Sequence, residues 1–146
     1  MLYKYPYQSE LGTITLLAND QGLLGAWFEN HANYGDTFDL SKVTQISDKQ
    51  ESTIIEKASN WLDNYFKGQT SDKIDFLLMP QGTAFQQDVW TEMQKIPYGQ
   101  TVTLEELADR VAARQTKGKG SLNAIAGAVQ LNPITIIIPS HRVLNS

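Results

Sequence analysis

Near the end of the chain a serine, a histidine and an arginine stand side by side, Ser140-His141-Arg142, directly after Pro139. A hydroxyl beside an imidazole is raw material for nucleophilic chemistry: the oxygen attacks an electrophilic carbon when a base takes its proton, and histidine changes charge near neutrality. No second cluster of this kind occurs in the sequence. Upstream, the β-branched run Ile134-Thr135-Ile136-Ile137-Ile138 reads as a short strand buried on both faces, which Pro139 ends by removing a backbone donor. Such a strand would hold the three polar side chains at a defined point. A strand followed by an ordinary polar turn explains the same residues, since Ser-His neighbours are common by chance.

Composition narrows the chemistry. The 146 residues, 41% of them hydrophobic, suffice for a buried core in one domain or two small ones. No run approaches the roughly 20 apolar residues of a membrane span, and the N-terminus lacks an export signal, so a cytoplasmic protein with no membrane partner is expected. The absence of cysteine excludes disulfides and thiolate metal sites, and His31 and His141 stand too far apart in sequence to suggest a metal centre. His31 reads as a surface histidine. No metal or cofactor is expected. The net charge of −4 argues against a nucleic-acid binder, but it is unevenly placed: residues 1–82 hold six Lys/Arg against eleven Asp/Glu, and residues 83–146 hold six against five. Arg110, Arg114, Lys117 and Lys119 gather around Gly118 and Gly120. They are suited to salt-dependent phosphate contacts, or to keeping a loop solvated.

The elements that must position these groups follow from periodicity. Leu2–Tyr7, Gly12–Asn19 and Gly22–Glu29 read as an antiparallel meander joined by turn residues, with Thr13 to Leu16 alternating as in a half-buried strand. Residues 30–51 form a connection with one more short strand at Lys42–Ile46. A helix is expected over Thr53–Phe66, opened by a Thr53/Glu56 capping box and stopped by Gly68. Lys73–Met79 is a connection or short strand, and Pro80-Gln81-Gly82 marks a domain boundary. A second helix runs from a Thr83/Gln86 capping box to about Gln94, with Phe85, Val89, Trp90 and Met93 inward, and a turn follows at 96–101. Thr103 and Glu106 open a third helix, Leu104 to about Ala113, with Leu107, Ala108 and Val111 inward. The fourth, Ser121 to about Leu131, buries Leu122, Ile125 and Val129 and leaves Ala124, Ala126, Gly127 and Ala128 small. The third and fourth suggest a helix-turn-helix. Small side chains let a helix approach a groove, or pack against another helix.

The string Asn132-Pro-Ile-Thr-Ile-Ile-Ile-Pro-Ser-His-Arg-Val143 resembles, without a gap, the active-site signature of the O6-alkylguanine-DNA alkyltransferases, or methylated-DNA–protein-cysteine methyltransferases: Asn-Pro, a run of aliphatics, Pro-Cys-His-Arg-Val. Gly82-Thr83-Ala84-Phe85-Gln86, Val89-Trp90 and Ile96-Pro97-Tyr98-Gly99 are similar to the family's Gly-Thr-Pro-Phe-Gln, Val-Trp and Ile-Pro-Tyr-Gly, with Ala84 replacing proline. The resemblance spans residues 82–143. It implies an α+β protein: residues 1–80 a ribonuclease H-like domain with a small antiparallel sheet and a helix, residues 82–146 a DNA-binding and active-site domain with a winged-helix-like helix-turn-helix and a short buried strand. The implied partner is duplex DNA containing O6-alkylguanine, bound through the minor groove by a monomer that rotates the damaged nucleotide out of the stack.

By the same resemblance Ser140 occupies the acceptor position, His141 is the neighbouring base, and Asn132 braces the turn of the active site. Thr103, Leu104, Asn123, Ala124, Gly127, Arg142, Lys117 and Lys119 take DNA-facing positions, with Arg142 equally suited to a structural tie. Three departures matter. Ser140 replaces the acceptor cysteine, and a hydroxyl is a poor nucleophile for displacement at an alkyl carbon. Asn123 falls where the family has the arginine that fills the flipped base's space, and Leu104 where it has a tyrosine against the phosphate. The family's tail, with a substrate loop and a glutamate that orients the histidine, would lie beyond Ser146, so the chain is expected to be shortened and His141 to lack that partner. The resemblance thus implies a single-turnover DNA repair methyltransferase unable to self-alkylate. Two other readings are a non-catalytic alkyltransferase-like protein that binds alkylated DNA, and a helix-turn-helix regulator or Ser140/His141 hydrolase on the same scaffold. With no orienting acid nearby, the hydrolase is the weakest.

Overall fold

A computed structural model describes residues 1–69, 73–113 and 121–144. The chain divides into two compact units, Met1–Pro80 and Gln81–Ser146. In the first, β1 (Tyr3–Ser9), β2 (Gly12–Ala18) and β3 (Gly22–Phe28) form the expected antiparallel meander. Two-residue strands β4 (Thr44–Gln45) and β5 (Leu77–Leu78) add in parallel at either edge, giving the order β4-β1-β2-β3-β5. The turn between β2 and β3 is closed by the Asn19 side chain, whose Oδ1 accepts from the Gln21 and Gly22 amides at 2.8 and 2.9 Å. This is the local bonding for which Asn is favoured in turns.

Helix α1 (Thr53–Phe66) covers one face of the sheet, burying Ile55, Ala58 and Leu62. Tyr7 ties strand to helix: its ring stacks on Phe66 and its hydroxyl donates to Asp63 Oδ1 at 2.7 Å. Desolvation of that phenol, followed by the Asp63 carboxylate, raises its pKa well above the ordinary value. The helix N-cap is Ser52, whose hydroxyl accepts from the Ile55 amide, not Thr53; the box of reciprocal bonds belongs instead to Asp48 and Glu51 in the preceding 3-10 turn. Gly68 does end the helix: at φ 77° it lets the Gln69 amide return to the Asn64 carbonyl. The opposite sheet face is not open to solvent. Leu17, Leu24 and Trp27 pack there with Phe38, Leu40 and Val43 from the long connection, and the Thr15 hydroxyl meets that of Tyr34. For this reason β2 is buried on both faces from Ile14 to Ala18, where alternation suggested one.

In the second unit α2 (Ala84–Gln94), α3 (Leu104–Ala112) and α4 (Leu122–Gln130) pack on one another. Both capping boxes read from the sequence are present, Thr83 with Gln86 and Thr103 with Glu106. Val89, Trp90 and Met93 of α2 and Leu107, Ala108 and Val111 of α3 are buried. On α4 the buried stripe is Ile125 and Ala128, with Val129 half-buried; Leu122 in the first turn is 44% exposed, a correction to the inward place expected for it. The turn Pro97-Tyr98-Gly99-Gln100 closes through the Gln100 amide to the Pro97 carbonyl at 3.1 Å, with Gly99 at φ 82°. Strands β6 (Val102–Thr103) and β7 (Val143–Leu144) pair in parallel. No helix among the described residues is long and apolar enough to cross a membrane.

Candidate active site

The expected strand at Ile134–Ile138 is buried, but it is not a strand. Only Ile134 makes a bridge; the chain then turns twice before a 3-10 turn at Ser140–Arg142. The Ile137 amide donates to the Thr135 carbonyl at 2.7 Å across Ile136, which sits at φ 68°, and the Ser140 amide donates to the Ile138 carbonyl at 3.0 Å across Pro139. A left-handed φ is unusual for a β-branched residue and costs about 1–3 kcal/mol. Burial of the aliphatic side chains offsets it: Ile134 and Ile138 have no exposed surface and Ile136 only 9%. A buried isoleucine contributes about 1.5–3 kcal/mol. A β-branched run thus describes burial correctly and backbone shape wrongly, because the side chains are paid for by packing whichever way the chain turns.

Asn132 organises the turns. It is 8% exposed; its Oδ1 accepts from the Ile134 amide at 3.0 Å, and its Nδ2 donates to the Ile138 carbonyl at 2.6 Å and to Ser140 Oγ at 2.8 Å. Ser140 Oγ in turn donates to the Val129 carbonyl on α4 at 3.2 Å. The hydroxyl is therefore held between an amide donor and a carbonyl acceptor, and its proton points at that carbonyl. An anion at this place would keep the amide donor, which favours the charged form of a nucleophile.

His141 follows on the exposed side of the turn, and partial desolvation, then the Arg142 guanidinium, lower its pKa from the ordinary 6.5. The neutral imidazole is thereby favoured at pH 7, the form that takes a proton. Arg142 is 8% exposed, donates from Nη1 to the Ile96 carbonyl at 2.7 Å, and lies 5.5 Å from the centre of the Tyr98 ring. It anchors the turn from the far side while β7 fixes the following residues to β6. Trp90 does the same for α4, its Nε1 donating to the Ala128 carbonyl at 2.8 Å.

Of the groups read as DNA-facing, Asn123 and Ala124 are exposed on α4 and Gly127 is half-buried, with open space where a Cβ would stand. Packing among the described residues does not demand a glycine there. Thr103 and Leu104 are half-buried at the start of α3, and the Thr103 hydroxyl serves the capping box, accepting from the Glu106 amide at 3.1 Å. Arg110 is exposed. Arg114, Lys117 and Lys119 lie outside the described residues. Among those residues no group of His, Asp and Glu could hold a metal ion. Sequence reasoning missed the Val129 and Ile96 carbonyls, which carry no side-chain signal, and the left-handed Ile136.

This arrangement has relatives. The model of the 6-O-methylguanine DNA methyltransferase ribonuclease-like domain matches residues 1–78, and that of the DNA binding domain of the same proteins matches residues 84–146. The chain belongs to the methylated-DNA–protein-cysteine methyltransferase family. It is 32% identical over 143 residues to the methyltransferase of Haemophilus influenzae, covering 98% of this chain and 73% of that protein. It is 30% identical to that of Methanosarcina acetivorans, covering 99% and 85%. The crystal structure of the Mycobacterium tuberculosis O6-methylguanine methyltransferase matches with a TM-score of 0.80 at 28% identity, over all of this chain and 80% of that one. The same organism's protein in complex with DNA matches at 0.81 and 28%, over 99% of this chain and 79% of that one. The α+β fold expected from the sequence is the fold found.

Proposed function

We propose that this chain is a DNA repair alkyltransferase scaffold that takes O6-alkylguanine out of duplex DNA through the minor groove, presents the alkyl carbon to position 140, and with serine there does not accept it. The observation that carries the reading is the clamp on Ser140 Oγ, between Asn132 Nδ2 at 2.8 Å and the Val129 carbonyl at 3.2 Å. In the reaction a bond forms between the nucleophile and the alkyl carbon while the carbon–O6 bond breaks, and guanine leaves after taking a proton. A thiol gives up its proton to a neighbouring base near neutrality; a hydroxyl is almost wholly protonated, and here its proton is engaged with a carbonyl. His141, neutral at pH 7, is the group that would receive a thiol's proton and return one to the purine. The exposed Asn123, Ala124 and the open Gly127 give α4 a surface that approaches a groove closely. We place the protein in the cytoplasm, as a monomer.

Ser140→Cys tests this. The variant is incubated with duplex carrying O6-methylguanine labelled in the methyl group, and the parent is run beside it. About one label per variant molecule and none on the parent is the expected result. An unlabelled variant that still prefers the methylated duplex in an anisotropy titration is a non-catalytic binder of damaged DNA. Equal affinity for methylated and unmethylated duplex would overturn the reading outright.

A further inference from the structure

Among the described residues only two outside glycine have a left-handed φ, Asp36 at 50° and Ile136 at 68°. Aspartate visits this region readily; isoleucine does so only where its surroundings force it. At Ile136 the forcing is visible. The segment is pinned at both ends by one side chain, since Asn132 holds the Ile134 amide and the Ile138 carbonyl, and the Ile138 amide closes back on the Ile134 carbonyl at 3.0 Å. Between those pins, Ile136 and Ile137 are buried. In the extended conformation it prefers, Ile136 would lengthen the segment beyond the closed span and carry Ile138 and Ser140 away from Asn132.

We propose that Ile136 is a positioning residue for the acceptor: its buried side chain holds the backbone in the left-handed turn, which fixes the spacing from Asn132 to position 140 and so keeps the nucleophile within reach of the Asn132 amide. Burial and backbone preference oppose each other at this residue, and burial prevails. A glycine would accept the same φ without strain, but it would anchor nothing and would leave the turn one conformation among several. This inference rests on position 140 being the acceptor position.

Because the chain has no cysteine, Ser140→Cys introduces a single thiol whose titration can be read without interference. That variant is compared with Ser140→Cys/Ile136→Gly and Ser140→Cys/Ile136→Val, following the thiolate absorbance and the rate of carbamidomethylation by iodoacetamide against pH. In the first the thiol should titrate below the free value of about 8.5, as a thiolate accepting a buried amide hydrogen does. With glycine the titration should move back toward that value, lowering the thiolate fraction at pH 7 about tenfold for each unit regained. Valine, branched and buried like isoleucine, should restore the original profile. A merely structural role would change the unfolding midpoint and leave the thiol's titration in the folded protein unmoved, and that outcome overturns the proposal.

If the glycine variant does not fold, Ile136→Ala in the otherwise unchanged chain serves instead, read by hydrogen exchange of the Asn132 side-chain amide. Accelerated exchange supports the inference, and exchange equal to that of the parent overturns it. Iodoacetamide reports on the thiol without DNA. A Ser140→Cys variant that takes no methyl group from DNA would therefore sink the functional reading and leave this test standing.

Discussion

Replacing Asn132 by alanine removes three hydrogen bonds at one stroke, and their costs differ. The Ile134 amide, on a residue with no exposed surface, loses the Asn132 oxygen and is stranded. A buried donor left in that state costs about 1–3 kcal/mol. The Ile138 carbonyl keeps the Ser140 amide at 3.0 Å, and Ser140 Oγ keeps the Val129 carbonyl, so each forfeits only the net value of a bond, about 0.5–1.5 kcal/mol. The total is roughly 4 kcal/mol. Urea unfolding of the second unit, followed through the indole resonance of Trp90, measures it separately from the first unit, where Trp27 and Trp61 report. Asn123→Ala, at an exposed position on α4, is the control and should stay within about 0.5 kcal/mol of the parent. If Asn132→Ala also falls within that margin, the clamp does not hold the turn and the account of the site fails.

Two further outcomes follow from the same geometry. His141 has a lowered pKa, so the folded protein binds fewer protons there than the unfolded chain. Its contribution to stability is complete above about pH 6.5 and is lost as pH falls through the folded value. The unfolding free energy of the parent minus that of His141→Gln should therefore fall from pH 7.5 to 5; a rise with acid would reverse the sign of the linkage. Asn123→Arg should leave the unfolding midpoint unchanged and tighten binding to a methylated duplex about tenfold, the effect of one added contact near 1.4 kcal/mol, measured by anisotropy at fixed salt. Weaker or unchanged binding would remove Asn123 from the DNA-facing surface.

Where a local rule governs an element, the sequence discloses it. Helix α1 begins and ends at Thr53 and Phe66, as its apolar spacing and Gly68 indicate, and the boxes at Thr83 and Thr103 lie three residues from their partners. What is illegible depends on chain outside the element itself. The Ser52 cap in place of Thr53 reflects the 3-10 turn before it, and the second buried face of β2 depends on Trp27, Phe38 and Leu40 arriving from elsewhere. The turn at Ile136 contradicts the strand preference of its own residues because Asn132 and the surrounding core outweigh it. In the site, residue types marked Asn132, Ser140 and His141, but no pattern could reveal that Ser140 bonds to the Val129 carbonyl or Arg142 to that of Ile96. Those acceptors are backbone atoms, identical at every position.

The two-residue strands at the sheet's margins have a consequence for how the protein behaves in company. An uncovered edge is a row of unpaired donors and acceptors onto which another chain can add, the first step toward aggregation. Beyond β4, β1 continues from Tyr5 to Ser9, and in that stretch Pro6 offers no N–H. On the opposite margin β5 pairs with Gly22 and Leu23, and the residues that follow, through Trp27, are buried. Beyond the two short strands a foreign strand thus meets a ladder interrupted at Pro6 on one side and buried residues on the other, which leaves little of the sheet for another chain to extend.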